Sequence, residues 1–184
     1  DEAARVIKNR RVGIPYRIVG FPLSVIYASL GRLVGGLLIS DYYDPISNTV
    51  HIFSDHTAVV LHEAAHAKDF AYQKYPGTYA FLGMLRLVTY MQEQAASEDA
   101  LDYLIAKDRK EEAVAACKVL YPAYGSYLGA PFGIGGYLFA IGYGHWYGRV
   151  KSRELKRRFQ LREELETFRK TGEKPATPVV SEPL

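Results

Sequence analysis

One cysteine among 184 residues, Cys117, leaves no partner for an internal disulfide and none for a Cys-based metal site, so a buried, inert thiol is expected there. Charge of one sign is not in large excess either: 23 basic against 20 acidic side chains give a formal net charge of +3. The basic residues gather towards the two ends and do not alternate with stacking aromatics across one face, so no nucleic-acid partner is expected. An internal repeat, a phosphate-cradling glycine loop and a serine triad are all missing, which argues against solenoids, nucleotide-binding loops and serine hydrolases. No signal peptide is visible, and the chain starts at Asp1, so a start methionine, with or without a presequence or tag, is expected to have been removed or left out.

Glycine and tyrosine, by contrast, are abundant, at 16 and 15 residues, and they concentrate in the apolar stretches. Small residues let helices touch and tyrosines settle at the membrane boundary, so the mixture points to a membrane-associated protein. The length suits one domain or little more, with enough chain for a real core.

The most informative stretch is His62-Glu63-Ala64-Ala65-His66. An α-helix turns once in about 3.6 residues, so the two histidines share a face and can offer two imidazole nitrogens to one Zn²⁺. Glu63 sits beside such an ion without ligating it, placed to take a proton from water and return it to a leaving amine. The surrounding alanines and leucine predict a helix over residues 55–75, capped by Ser54 or Asp55 and closed by Pro76-Gly77. Asp69 shares the histidine face, either supporting an imidazole N–H or lying on the surface as an ordinary acid. His51 and His56 read as polar residues rather than ligands. The competing reading is a surface helix that carries two histidines and a glutamate by chance.

A catalytic zinc site takes three protein ligands and leaves a position for water. The third is expected in residues 92–103, the best concentration of carboxylates at helical spacing. With Glu93-Gln94-Ala95-Ala96-Ser97 following it, the motif resembles the gluzincin-type HExxH zinc metallopeptidases, in particular the membrane-embedded prenyl-protease and heat-shock-protease group, whose second motif reads E-x-x-A-D. The resemblance covers the central third of the chain. It implies Glu93 as the third zinc ligand and Ala96 as the small residue. Ser97 stands where the family has an aspartate supporting the second histidine, so that role passes to Ser97, Asp69 or Asp99. Glu98 is a rival ligand, disfavoured if the Ala95-Ala96 pair faces the motif helix. Thr49, Val50, His51, Ile52 and Phe53 predict a short strand. In zinc peptidases of this helix type such a strand runs beside the active-site helix and pairs with extended substrate. A donor for the developing oxyanion is also needed, with His51, Tyr103 or a tyrosine of the glycine-rich part as candidates.

Two apolar segments remain. Residues 18–39, interrupted by Arg32 and with Pro22 where a helix would start, have about the twenty residues a span needs, but a re-entrant or interfacial helix fits as well. Residues 119–148 carry no formal charge if His145 is neutral. There Gly125, Gly129 and Gly133, then Gly136, Ala140, Gly144 and Gly148, repeat at four and lay down ridges for close helix approach. Pro122 and Pro131 predict a break, which leaves 131–147 as the best span, anchored by Tyr137, Tyr143, Trp146 and Tyr147; a glycine-rich helical hairpin in a soluble domain is the alternative. The basic cluster at Arg149, Lys151, Arg153, Lys156, Arg157 and Arg158 marks a cytoplasmic or matrix side.

The expected fold is mainly α with a short strand element, built on a zincin-like helix pair, with one transmembrane helix and a second apolar helix. Its parts are a helical core over 1–120, the glycine-rich segment 121–148, a basic amphipathic helix 149–170 that lies on a membrane or packs on a partner, and a flexible tail 171–184. The expected function is that of a zinc-dependent endopeptidase of a bacterial or organellar inner membrane, with Zn²⁺ as cofactor and peptide or protein substrate and membrane lipid as partners. The alternative is a catalytically inert accessory subunit of a membrane complex that retains a peptidase-like core; a soluble zincin is a third reading.

Overall fold

The structure, a computed structural model, describes residues 1–35, 37, 39–129 and 132–172. Of the expected tail, residues 173–184 lie outside the described residues, as does Pro131. The chain is mainly helical. In order it forms α1 (Glu2–Lys8), α2 (Ile14–Val34), β1 (Tyr42–Asp44), β2 (Thr49–His51), α3 (Thr57–Tyr72), α4 (Pro76–Leu82), α5 (Arg86–Ala106), α6 (Lys110–Gly129) and α7 (Gly133–Thr171).

The strands pair antiparallel, with Tyr42 opposite His51 and Asp44 opposite Thr49. Asp44 closes the turn by accepting from the Ile46 N–H and the Ser47 hydroxyl, both at 2.9 Å, and Asn48 supplies the positive φ of 54°. The ladder stops at His51 instead of running to Phe53, because the Asp41 carboxylate takes the backbone N–H groups of Phe53 and Ser54. Ser54 also gives its hydroxyl to Asp41. It is therefore not available to cap α3, which starts at Thr57 with His56 as a cap residue that makes no side-chain bond. At the other end Pro76 opens α4, the helix position where a missing N–H costs least. The last carbonyls of α3, at Phe70 and Ala71, instead receive the Arg11 guanidinium.

The main core joins α3, α5, α6 and the distal part of α7 through Ala58, Ala100, Leu104, Ala113, Ala116, Leu120 and Phe159. Alanines predominate, so these helices approach closely. Phe159 is 7% exposed, Leu155 packs beside it and Lys110 meets Glu163 at 2.7 Å. The basic stretch 149–170 is thus not a separate segment: one of its faces packs on the chain's own core. Nor does the chain break at 148, since α7 runs unbroken for 39 residues, and Pro122 lies inside α6 instead of ending it.

The glycine ridges face each other in the α6–α7 hairpin. A Cβ on Gly125 would lie 2.5 Å from the Ala140 carbonyl oxygen, one on Gly144 2.6 Å from that of Tyr121, and one on Gly148 2.5 Å from that of Cys117. Only hydrogen fits in these places. Helix α2 works in a similar way, burying Gly20, Ser24, Ala28 and Gly31. Gly20 and Gly31 make room for Ile46 and Phe53 of the hairpin region, while Ile18, Leu23 and Leu33 point outward at 69%, 60% and 79% exposure. Its small residues pack inside and its large aliphatic ones face out, the reverse of a soluble helix. Among the described residues α2 is the helix long and apolar enough to cross a membrane, and only 22% of its most apolar stretch is buried. The span expected at 131–147 falls mostly in α7, which does not reach this apolarity because glycine and tyrosine supply so much of that stretch. Tyr16 joins α2 to α4 through a ring contact with Phe81 at 5.1 Å and a hydroxyl contact with Thr78 at 3.0 Å.

Candidate metal centre

Helix α3 turns its two histidines towards α5. Their rings meet edge to face with centroids 4.7 Å apart, and Glu93 of α5 reaches both: Oε2 lies 3.1 Å from His62 Nε2 and Oε1 3.5 Å from His66 Nε2. The two Nε2 atoms are 3.1 Å apart, and one ligand atom from each of the three residues falls within 4.8 Å of the others. Ligands at about 2.0 to 2.1 Å from a tetrahedral ion sit about 3.3 Å from one another. The separations here are 3.1 Å between the imidazoles and 3.1 and 3.5 Å to the two different oxygens of Glu93, so these three side chains could hold a small cation. The side chains are only 11–14% exposed, so the charges act through protein rather than water.

Burial alone would raise the Glu93 carboxyl, but the hydrogen bonds and charges of both imidazoles outweigh it and hold the group down at about 2. For His66 burial opposes the charge, while the bond and charge of Glu93 prevail and lift the imidazole above its usual range. Glu63 is 8% exposed, and burial pushes its carboxyl up against the pull of the two imidazoles. The backbone of Tyr43 in β1 acts weakly in the opposite sense to burial and favours the carboxylate. A carboxyl so placed, next to a cation site and above its ordinary range, suits proton transfer.

Ser97 takes one supporting position: its hydroxyl lies 3.2 Å from His62 Nδ1. The histidine it meets is the first of the motif, not the second. If Nδ1–H donates to Ser97, Nε2 keeps its lone pair for a metal. Asp69 does not bond an imidazole; it takes Gln73 Nε2 at 3.0 Å and the Tyr79 hydroxyl at 2.7 Å, and acts on His66 through its charge. Asp99 pairs with Lys68 on the surface. Glu98 is exposed and accepts from Gln94 at 2.9 Å, away from the histidines. Glu93 is therefore the carboxylate that completes the cluster.

A cleft of about 330 Å³ opens at the cluster, lined by His62, Glu63 and Glu93 from below and by Tyr124 and Tyr127 of α6 from the side. Its rim comes from Ser40 and Asp41 ahead of β1 and from Ser54 and His56 after β2. Among its described lining residues there is none from Thr49, Val50, His51, Ile52 or Phe53; the hairpin contributes through the segments that flank its two strands. His51 stacks on Tyr42 at 4.5 Å and faces Glu2 at 3.5 Å. Tyr103 is half exposed, with the Lys107 ammonium over its ring. Tyr127 lines the cleft together with Glu93 and Glu63. Burial raises its hydroxyl's pKa, as do the charges of Glu93 and Glu63 and a hydrogen bond to Glu93. Sequence reasoning did not single it out, although Leu120, Tyr124 and Tyr127 follow the i, i+4, i+7 spacing of one helical face. Asp41 was likewise missed; an Asp ahead of a turn-rich loop gives no sign of the two N–H groups it will collect.

No protein-family model, curated protein or solved structure matches this chain, so its chemistry is argued from the site itself.

Proposed function

We propose that the chain is a zinc-dependent, membrane-associated endopeptidase in which His62, His66 and Glu93 hold the metal and Glu63 is the general base. The observation that carries this reading is the convergence of two imidazole nitrogens and a carboxylate within 4.8 Å at a cleft that also holds a second, buried carboxylate. Zinc bound there would supply Lewis acidity, lowering the pKa of water to about 7 and polarising a peptide carbonyl. Glu63 takes one proton as the water oxygen bonds to the carbonyl carbon. It returns that proton to the amine nitrogen as the C–N bond breaks, leaving a carboxylic acid and an amine. The Tyr127 hydroxyl, at the cleft wall, donates to the carbonyl oxygen as negative charge builds on it. Ser97 keeps His62 in the useful tautomer. An extended peptide would pair with an edge of the β1–β2 hairpin beside the cleft.

The outward aliphatic face of α2 and the exposed Ile134, Leu138 and Phe139 at the tip of the α6–α7 hairpin set the protein in the membrane. The basic residues that follow on α7 then face the cytoplasm or matrix of a bacterial or organellar inner membrane. A chain that stays in the aqueous fraction without detergent would refute this placement.

Elemental analysis of protein purified without added zinc tests the site, with His66→Ala and Glu93→Ala prepared alongside. About one zinc per chain, lost in both variants, is expected from a three-ligand site. Glu63→Gln should then keep the metal and lose peptide hydrolysis. A wild-type protein without affinity for zinc removes the peptidase reading and puts the accessory-subunit reading in its place.

A further inference from the structure

A second cavity of about 330 Å³ lies between α5, α6 and α7. Five tyrosines, Tyr90, Tyr121, Tyr124, Tyr143 and Tyr147, wall it together with one carboxylate, Glu98. Lys, Arg and His are absent from its described lining, so the wall carries a net negative charge. Leu101, Leu120 and Leu128 add apolar surface.

The tyrosines form a pair and a trio: Tyr90 lies 4.7 Å from Tyr124, while Tyr121 meets Tyr147 edge-on at 5.0 Å and Tyr143 stacks on Tyr147 at 6.0 Å. Aromatic faces are electron-rich and attract ammonium groups, more so where water is partly excluded. One member already does so, since the Lys151 ammonium stands 5.6 Å from the centre of the Tyr147 ring. That lysine is matched by Glu154 at 3.1 Å, so it does not cancel the charge of Glu98. Glu98 gives one oxygen, Oε1, to Gln94. Its other oxygen is left to meet a cation.

We propose that this cavity is a binding site for an organic ammonium group on a short apolar stem, held by the tyrosine rings and Glu98. The inference does not depend on hydrolysis at the metal centre. It does place the ligand one side chain away, because Leu120 and Tyr124 line both the cavity and the cleft, and Ser97, which meets His62, is in the cavity wall.

Calorimetric titration of the full chain with choline and with its neutral isostere 3,3-dimethylbutan-1-ol separates charge from shape. Choline should bind roughly tenfold tighter, and Glu98→Gln, a nearly isosteric change at an exposed position, should remove most of that preference while leaving the isostere's affinity unchanged. Tyr147→Leu should weaken choline more than the isostere. Equal affinity for the two probes would overturn the proposal, as would the absence of saturable choline binding or a preference that survives both substitutions. Ammonium groups occur both on soluble compounds and on lipid headgroups. Dihexanoylphosphatidylcholine below its micelle concentration binding roughly tenfold tighter than choline would assign the site to a headgroup with its chains, and equal affinity would assign it to the soluble compound.

Discussion

Ser97 offers a sensitive test of the proposed metal centre, because its hydroxyl lies against the ring nitrogen of His62 that faces away from Glu93. Ser97→Ala removes the 3.2 Å contact to His62 Nδ1 and leaves the ring free to rotate or to place its proton on Nε2. A neutral hydrogen bond contributes about 1 kcal/mol net, so zinc affinity should fall about fivefold, just below the roughly ten- to hundredfold seen for typical partners of metal-bound histidines. Ser97→Asp should act in the opposite sense, since a charge-assisted bond is about twice as strong, and should tighten zinc about fivefold. Competition against a chromogenic chelator measures both, with circular dichroism to show that each variant is folded. If neither substitution moves the zinc affinity, the hydroxyl does not orient His62. If folded Ser97→Ala loses zinc entirely, the contact carries far more than a hydrogen bond.

Tyr127→Phe should lower kcat about a hundredfold with little change in KM, as expected for a donor used only in the transition state; a change confined to KM would remove Tyr127 from that role. Zinc affinity should fall about tenfold per unit as the pH drops through the raised pKa of His66, while Glu93, held at about 2, stays ionised throughout. Without metal the sign reverses: protonated His66 stabilises the fold fully below 6.5, and that contribution is lost as the pH rises through its raised folded-state value, which denaturant titration across the range would follow. Gly144→Leu forces a side chain against the backbone of Tyr121 and Pro122, and should cost about 1 to 3 kcal/mol and several degrees of Tm. Gly142→Ala, with nothing within 4 Å of the added carbon, should leave Tm unchanged or raise it slightly.

The histidine pair was legible because one helical period links it, and the same rule places Ser97 one turn from Glu93 on α5. Glu98, five residues on from Glu93, is turned about 140° away on a helix that advances about 100° per residue, which is why it faces elsewhere. A tyrosine of the glycine-rich part was among the donors considered, but which of them reaches the cleft depends on tertiary packing, as does the role of Asp41. The cap of α3 went astray for a related reason. Ser54 has the right chemistry for a cap, but Asp41 competes for its hydroxyl and N–H and wins. Pro122 was read as a break, yet the packing of α6 against α7 carries the helix through it. The glycine ridges were recognised as contact surfaces, and the helical hairpin given as one of two readings of this segment is what brings them together.

Because α7 is one unbroken rod of 39 residues, it measures distance as well as joining parts. At about 1.5 Å per residue the rod is about 58 Å long, and its exposed apolar end lies about 38 Å along it from Phe159, where it grips the core. Whatever surface that end rests on, the height of the cleft above it is set by a count of residues rather than by a flexible joint. Adding or removing a turn of α7 would slide its glycine ridge past Gly125 and Gly129 of α6, the helix that carries Tyr124 and Tyr127 to the cleft, so the length of the rod is tied to the shape of the site.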